Sequence, residues 1–248
     1  NILSTHSQQP TAGSGWGEGP SQWYNYEGGT SMATPLSAGA AVLVRQFYTD
    51  VENLPAPSGA LIKATLINGA ANMAPGQYNP TGAFQEVLRR PDRSQGWGRV
   101  DVANSLMPGG SGGLWYADHS DGLSTGQTIT YTSIFRVGAD ASLPLRATLA
   151  WADYPGSLIA LTKLVNDLDL QVIGPDGTVY VGNDRADGVL DGTIDRLNNI
   201  EGIEIADPLP GAYTVVVRAH HIPQGAQPYA LVVSGPPGGV RLSPPLPS

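Results

Sequence analysis

The chain has 248 residues, a formal net charge of −8 and no cysteine. This length allows one large or two ordinary domains with a substantial buried core. The acidic balance argues against nucleic acid as a partner, and the lack of cysteine excludes a disulfide framework, a thiolate metal site and a cysteine nucleophile. No apolar run is long enough to cross a membrane, so we expect no membrane partner. The first residues lack the regions of a signal peptide, and we expect them to come from the interior of a longer protein.

A serine opens the first predicted helix. Residues 28–35 read Gly-Gly-Thr-Ser-Met-Ala-Thr-Pro, and an apolar run from Leu36 to Tyr48 follows them. Apolar residues recur there every three or four positions, which predicts a helix. Ser31 would then lie beside unpaired backbone N–H groups and the positive end of the helix dipole, which stabilise the oxyanion of an acyl transfer. The alternative is that Thr30 or Ser31 only caps the helix.

A second helix is predicted after a proline-rich break. Ser58 is its candidate N-cap, the helix runs from Ala60 to Ala71, and Asn68-Gly69 marks its weakening or end. Residues 75–95 are expected to be a loop around a short amphipathic piece from Phe84 to Leu88.

A domain boundary is predicted after the next short helix. Asp101 is placed to cap a helix from Val102 to Leu106. The glycine-rich segment that follows predicts a flexible linker. The predicted parts are a first domain, a linker, a β domain and a proline-rich tail, at residues 1–107, 108–113, 114–240 and 241–248.

The second half alternates β-formers with turn signals. Pro175-Asp176-Gly177 predicts a turn, and the alternation of Tyr213, Val215 and Val217 predicts one buried strand face. About eight short strands in roughly 120 residues indicate an antiparallel β-sandwich or jelly roll. The candidate strands are Thr128 to Val137, Leu145 to Trp151, Leu168 to Ile173, Thr178 to Val181, Ile200 to Ile205, Tyr213 to Ala219 and Tyr229 to Ser234.

Two strings in the first half resemble the subtilisin-like serine proteases (subtilases). Gly-Thr-Ser-Met-Ala-Thr-Pro at 29–35 resembles their nucleophile motif, and Gly-Trp-Gly-Arg-Val-Asp at 96–101 resembles the run that closes their catalytic domain. The resemblance implies an α/β catalytic part and a serine endopeptidase that forms an acyl-enzyme on Ser31. The Ser31 N–H would be one oxyanion donor, and Gly29 and Thr30 would lie against the peptide substrate. It also implies a short strand, at about Trp23 to Tyr26, before the serine.

Subtilases supply their catalytic Asp, His and Ser in that chain order. His6 lacks the Gly-Thr signature that follows the family's histidine, and Asp101 comes after the serine, so we interpret both as structural. The resemblance therefore implies the C-terminal part of a secreted subtilase. Its expected partners are a protein or peptide substrate and the preceding, missing part of the catalytic domain. We expect exposed apolar surface on residues 1–107 where that part would pack.

The β half has a resemblance of its own. Strings at residues 164–170, 174–178, 198–201 and 211–217 resemble the C-terminal β-barrel of KP-43-like bacterial alkaline subtilases. They are similar, more distantly, to the P-domains and pre-peptidase C-terminal domains of secreted proteases. The resemblance implies an accessory jelly-roll domain.

Calcium is the expected cofactor, in a structural role. Asp167 and Asp169 would share one side of an extended segment, and Asp184 and Asp187 belong to an acidic loop that ends at Asp195. Calcium takes several oxygen ligands, which such carboxylates supply. The alternative is that these carboxylates cap turns or face solvent.

Two other functions remain open from the sequence. Gly29 to Ala33 is one residue from the Gly-x-Ser-x-Gly elbow of α/β-hydrolases, which run Ser, Asp, His. Asp153 or Asp167 with His220 or His221 would complete an esterase triad, although an α/β-hydrolase needs strand–helix alternation after the serine. The third hypothesis is non-catalytic: a fragment whose β domain serves folding, stability or substrate binding.

Overall fold

The computed structural model describes residues 2–7, 15–76, 86–87, 90–110, 112–138, 143–184 and 192–236. Its helices are α1 (Thr30–Gln46), α2 (Gly59–Asn68) and α3 (Val102–Leu106). Its strands are β1 (Ile2–Thr5), β2 (Tyr24–Glu27), β3 (Gly113–Leu123), β4 (Thr128–Val137), β5 (Leu145–Ala150), β6 (Asp167–Ile173), β7 (Val179–Val181), β8 (Ile200–Ile205), β9 (Gly211–His221) and β10 (Gln227–Gly235). The chain divides into two compact units, Asn1–Leu43 and Val44–Ser248. Among the described helices, none is long and apolar enough to span a bilayer.

The first unit holds a two-stranded sheet and most of α1. Strands β1 and β2 pair antiparallel, from Ile2 opposite Glu27 to Thr5 opposite Tyr24. The short strand expected before the serine is therefore confirmed as β2. Its partner β1 was not predicted, because four residues give too short a pattern to stand out from a turn-rich segment.

Helix α1 begins earlier than the apolar run that predicted it. It starts at Thr30 and contains Pro35 within its first two turns. Ala40, Val44 and Tyr48 are buried, whereas Leu36 and Leu43 from the predicted apolar stripe are half exposed. A π-helical turn from Phe47 to Val51 extends the helix.

Side-chain caps fix the starts of the two shorter helices, as the sequence predicts. The Ser58 hydroxyl accepts from the Leu61 N–H at 3.0 Å at the start of α2. The Asp101 carboxylate accepts from the Asn104 N–H at 2.9 Å at the start of α3. Helix α2 ends at Asn68 with Gly69 as its C-cap, where the sequence placed its weakening or end, and it does not continue to Ala71.

Two antiparallel four-stranded sheets form a β-sandwich in the second unit. One sheet has the order β3-β10-β5-β8 and the other β4-β9-β6-β7. The predicted face of Tyr213, Val215 and Val217 is fully buried between them. Across the core, the hydroxyls of Tyr131 and Tyr229 are hydrogen-bonded at 2.8 Å, and burial raises the pKa of both groups.

Helix α2 covers the outer face of the first sheet. Leu61 and Ala64 of this helix pack with Val232 of β10 and Tyr116 of β3 in a second apolar cluster. Within this contact, the Asn68 side-chain N–H donates to the Thr148 hydroxyl at 3.1 Å. The central strand β10 is therefore buried on both faces, which explains its continuous apolar run.

Part of the predicted linker forms a turn where the structure describes it. Pro108 to Gly110 form a 3-10 turn, and the Gly112 N–H donates to the Pro108 carbonyl at 2.6 Å. A Cβ at Gly112 would lie 2.7 Å from the Gly235 carbonyl oxygen, so this position requires glycine. The domain bounds themselves stay predictions. The tail at 241–248 and most of the predicted piece at 84–88 lie outside the described residues.

Candidate functional site

Ser31 lies exposed in the first turn of α1. The first hydrogen bonds of this helix run to the Gly29 carbonyl from the N–H groups of Met32 (3.2 Å) and Ala33 (3.1 Å). The N–H groups of Thr30 and Ser31 precede these bonds and point out of the helix end. Two backbone donors and the helix dipole thus lie beside the serine hydroxyl, an arrangement that favours negative charge.

Gly29 and Pro35 shape the backbone on either side of Ser31. Gly29 has φ +128°, a conformation that L side chains rarely adopt, and no atom lies within 4 Å of a Cβ placed there. The glycine therefore leaves open space directly before the serine. Pro35 lacks the N–H that would bond to the Ser31 carbonyl. One residue earlier, the Thr34 hydroxyl donates to the Thr30 carbonyl at 2.8 Å.

The described residues do not supply a base to Ser31. Among them, no histidine or carboxylate is hydrogen-bonded to the Ser31 hydroxyl. His6 continues the β1–β2 pairing, with its N–H donating to the Trp23 carbonyl at 2.7 Å. A serine hydroxyl without a base is a weak nucleophile. The described residues at this helix end are therefore suited to stabilise negative charge but do not include a base for the hydroxyl.

Large apolar side chains are exposed around the same unit, as expected from the sequence. Trp16 is 67% exposed, Leu36 57% and Val42 65%. Trp23 and Leu43 are also exposed by more than half. Large contiguous patches of exposed apolar surface commonly mark interaction sites in proteins.

A second group of functional candidates lies on β6 of the sandwich. Asp167 and Asp169 are both largely buried and share one cation, Arg196. The Arg196 guanidinium lies 3.1 Å from Asp167 Oδ2 and donates to Asp169 Oδ1. The two carboxylates thus lie on one side of the strand, as predicted, and one guanidinium contacts both of them.

Glu201 on β8 belongs to the same acidic region, although no sequence pattern marked it as a site residue. Its Oε2 accepts from the Leu170 N–H at 2.5 Å. Within the described part of the chain, its Oε1 and Asp167 Oδ1 are buried without hydrogen-bond partners. Burial raises the pKa of Glu201 well above its ordinary value, and the charges of Asp169, Asp195 and Asp167 act in the same direction.

The pKa of Asp167 is also raised, but less than that of Glu201. Burial raises the pKa of the Asp167 carboxyl, while the Arg196 charge opposes the rise. The sequence signal for this region was the run of carboxylates itself. Which of them would be buried, and that Arg196 would join them, depends on how the loop before β8 folds back onto β6.

The acidic loop after β7 is described only at its two ends. Asp184 Oδ1 accepts from the Gly192 N–H at 2.9 Å, and Asp195 accepts from the N–H groups of Leu197 and Asn198 at 2.7 and 3.2 Å. Asp187 lies outside the described residues. Among the residues that the structure does describe, no three His, Asp or Glu side chains are grouped to hold a metal ion.

Of the residues in the esterase alternative, Asp167 lies opposite His221 in the pairing of β6 with β9, whereas Asp153 is hydrogen-bonded to backbone groups of its own loop. Asp153 accepts from the N–H groups of Tyr154, Val165 and Asn166, each at 2.8 Å. His220 and His221 are exposed at the end of β9. From β3 to β10 the described elements are strands alone, without the helices that an α/β-hydrolase sheet requires.

Comparison with known proteins identifies relatives for most of the chain. The sequence model of the subtilase family, Peptidase S8, matches residues 4–98. The serine protease/ABC transporter B family protein tagB of Dictyostelium discoideum is 31% identical, over 85% of this chain and 13% of that protein. The tagD and tagA proteins of the same organism are each 28% identical, over 86% and 83% of this chain and 14% and 12% of theirs.

The chain thus spans only 12–14% of the length of these relatives. A solved GH115 4-O-methyl-alpha-glucuronidase shares 13% identity and a TM-score of 0.23, over 51% of this chain and 16% of that one. Similarity this low carries no conclusion about fold or function.

Proposed function

We propose that this chain is part of a subtilisin-type endopeptidase with Ser31 as its nucleophile, since residues 4–98 match the sequence model of the subtilase family. The observation that supports the proposal is the position of Ser31: exposed, in the first turn of α1, and beside the N–H groups that precede the first helical hydrogen bonds. The names of the relatives agree at the level of a serine protease.

The chain's own residues supply two parts of the reaction. The Ser31 hydroxyl attacks the scissile carbonyl carbon, and its proton passes to a histidine base. The C–N bond then breaks as the histidine gives that proton to the leaving amine, and water hydrolyses the acyl-enzyme that remains. The Ser31 N–H donates to the developing oxyanion. Gly29, with open space at its Cα, and Thr30 lie beside the substrate backbone in this proposal.

The catalytic Asp and His are expected on the preceding part of the catalytic domain. The exposed side chains of Trp16, Leu36 and Val42 support this proposal, because they are an apolar surface that a packed partner would bury. This chain spans only 13% of the tagB protein, which supports an enzyme that is longer than this chain.

The test uses a fluorophosphonate probe, which reacts only with an activated serine. We expect no label on this chain alone, and label on Ser31, located by peptide mapping, in a longer protein that includes the preceding part of the catalytic domain. In that longer protease, Ser31→Ala should leave only about 10³ to 10⁴ of acceleration over water. Ser37→Ala, on an exposed position of the same helix, is the matched control and should retain activity. Near-parental activity of the Ser31 variant would reject the assignment.

The second half is proposed to be a jelly-roll accessory domain of the KP-43-like type. Strand order supports this: eight strands form two four-stranded sheets, and successive strands change sheet at every connection except that from β6 to β7. Secretion is a further proposal, supported by the family resemblance.

A second candidate function is that the β domain stabilises the protease. It is favoured by the contact between α2, which lies inside the subtilase match, and the outer face of the first sheet. This role requires no chemistry in the sandwich and is compatible with the proposed endopeptidase.

We also propose that the loop between Asp184 and Asp195 binds a structural calcium ion. It is supported by the carboxylates in that segment and by the preference of calcium for oxygen ligands. Asp167 and Asp169 fit a calcium ion poorly, because Arg196 already pairs with both carboxylates and a bound ion would have to displace it.

A further inference from the structure

The loop between β5 and β6 exposes three large aliphatic side chains at its tip. Leu158 is 97% exposed, Ile159 94% and Leu161 103%. Values near 100% mean that almost no part of these side chains touches the rest of the protein. Single exposed aliphatic residues are common, but three within four positions form a concentrated apolar projection.

The base of this loop is fixed by hydrogen bonds. The Asp153 carboxylate joins the two ends of the loop, since it accepts from the N–H groups of Tyr154, Val165 and Asn166 at 2.8 Å each. The buried Trp151 indole N–H donates to the Asn166 carbonyl at 2.9 Å. The apolar tip is therefore attached to the sandwich through a loop base that is held by hydrogen bonds.

The tip has its own internal contacts. The Lys163 ammonium donates to the carbonyls of Ser157 and Leu158 at 3.0 Å each, and the Ala160 N–H donates to the Ser157 carbonyl at 3.2 Å. A Cβ at Gly156 would lie 2.6 Å from the Lys163 carbonyl oxygen, so glycine allows the two sides of the loop to approach. These contacts close a turn whose apolar side chains point away from the sandwich.

The size and shape of the tip favour a lipid surface over a protein partner. Three aliphatic side chains present on the order of 300 Å² of apolar area, whereas a stable protein interface buries about 800 Å² on each partner. A protein partner would need a deep cavity that matches the projecting tip. Lipid molecules, by contrast, can rearrange around inserted apolar side chains. We propose that residues 158–161 insert into the interfacial layer of a lipid membrane.

The neighbouring residues suit that location. Tyr154, at the base of the loop, is 54% exposed, and tyrosine is enriched at membrane–water interfaces. The Lys163 ammonium lies beside the tip, where lipid phosphates would be, and the carbonyls that hold it carry no formal charge. Binding of this kind lies on the membrane and does not span it, so it differs from the spanning segment whose absence led us to expect no membrane partner. The proposal is independent of the protease assignment.

The first test measures insertion directly. The chain has no cysteine, so Ile159→Cys can be labelled at one position with an environment-sensitive nitrobenzoxadiazole dye. We expect its emission to shift to the blue on addition of phosphatidylcholine vesicles. Leu197→Cys, at an aliphatic position that is 67% exposed elsewhere in the same sandwich, is the control and should not shift.

The second test removes the apolar tip from the full chain. Each change to serine in Leu158→Ser, Ile159→Ser and Leu161→Ser should lower the vesicle partition coefficient about tenfold. The matched control combines Val179→Ser, Leu197→Ser and Leu209→Ser, three exposed aliphatic positions that are dispersed over the sandwich. We expect the control to partition like the parent and both variants to keep the parental thermal midpoint.

A third measurement separates apolar insertion from attraction by charge. Vesicles with about one fifth phosphatidylserine should bind up to about fivefold more tightly than pure phosphatidylcholine if Lys163 contributes, and Lys163→Gln should remove that difference. No blue shift at residue 159 with either vesicle would overturn the proposal. A blue shift that appears without lipid and grows with protein concentration would overturn it in favour of a second copy of the chain.

Discussion

The Ser58 hydroxyl, at the start of α2, donates a hydrogen bond of 2.6 Å to Asp118 Oδ1 in β3. The Ser58 N–H donates to the other carboxylate oxygen at 2.7 Å, while the same hydroxyl accepts from the Leu61 N–H at 3.0 Å. One carboxylate of the sandwich thus orients the cap of a helix that lies within the subtilase match. Hydrogen bonds to a charged acceptor are stronger than neutral ones.

Asp118→Ala is therefore expected to lower the free energy of unfolding by about 1–3 kcal/mol. Ser58→Ala should lower it by about 1 kcal/mol through loss of the cap, and the double variant should lose less than the two changes together. Urea unfolding measures all three, and Asp121→Ala, exposed in the same strand, is the control. Strictly additive losses would show that the contact between Ser58 and Asp118 contributes nothing.

Glu201 gives the sandwich a pH-dependent stability. Because burial raises its pKa, the folded protein keeps this proton at pH values where the unfolded chain, with an ordinary value of 4.5, has lost it. The free energy of unfolding therefore falls as the pH rises from 4.5 towards the raised pKa. Asp167, whose pKa is also raised, contributes in the same direction.

Glu201→Gln should remove most of this dependence. The amide oxygen can still accept from the Leu170 N–H, but the side chain no longer ionises. We expect the variant to gain stability relative to the parent as the pH rises above 4.5, measured by urea unfolding across that range. Glu204→Gln on the same strand, which loses contacts to Arg90 and Arg146, should show no such gain. A constant difference between Glu201→Gln and the parent at every pH would contradict the prediction.

Replacing each of two glycines near Ser31 by alanine is expected to change the stability of the protein in opposite directions. Gly29 has φ +128°, so Gly29→Ala should destabilise the protein by about 1–3 kcal/mol, although no atom lies within 4 Å of the added methyl. Gly39 lies inside α1 with similarly open space, and Gly39→Ala should stabilise by about 0.5–1 kcal/mol. Thermal unfolding of the two variants compares them directly. Equal effects would mean that the conformation at Gly29 is not strained by a side chain.

Calcium binding predicts a higher thermal midpoint in calcium than in chelator. Asp184→Ala should abolish the difference if the loop from Asp184 to Asp195 holds the ion, because the site would lose a carboxylate ligand. Asp176→Ala, in the exposed turn before β7, should keep it. An unchanged midpoint of the parent in the two conditions would count against a calcium site in this chain.

Local chemistry made several elements predictable from the sequence. Ser58 and Asp101 were recognised as helix caps because a short polar side chain can satisfy an N–H only at a helix start. β4 and β8 have the predicted limits, and β9 has the predicted buried face, since alternation with a period of two requires one apolar side. The Gly-Thr-Ser-Met-Ala-Thr-Pro string likewise indicated the serine at the start of α1.

Other features depended on contacts between distant residues. β3 was not predicted, because it is buried over Leu114 to Ala117 only when α2 and β10 pack around it. The partnership of Asp167 and Asp169 with Arg196, and the burial of Glu201, join residues about 30 positions apart and leave no periodic pattern. The exposed tip at residues 158–161 was likewise not identified, since an apolar run alone does not reveal whether it is buried.

The resemblance to subtilases, the candidate nucleophile and the type of most elements could be inferred from the sequence alone, because they follow from contiguous motifs and from the periodicity of helices and strands. Which carboxylates are buried, which cation they share and which apolar side chains stay in water became known only from the tertiary structure. The physical reason is that burial and charge pairing depend on residues far apart in the chain. The local sequence determines the helix or strand propensity of a segment, but it does not determine which distant residues the segment contacts after folding.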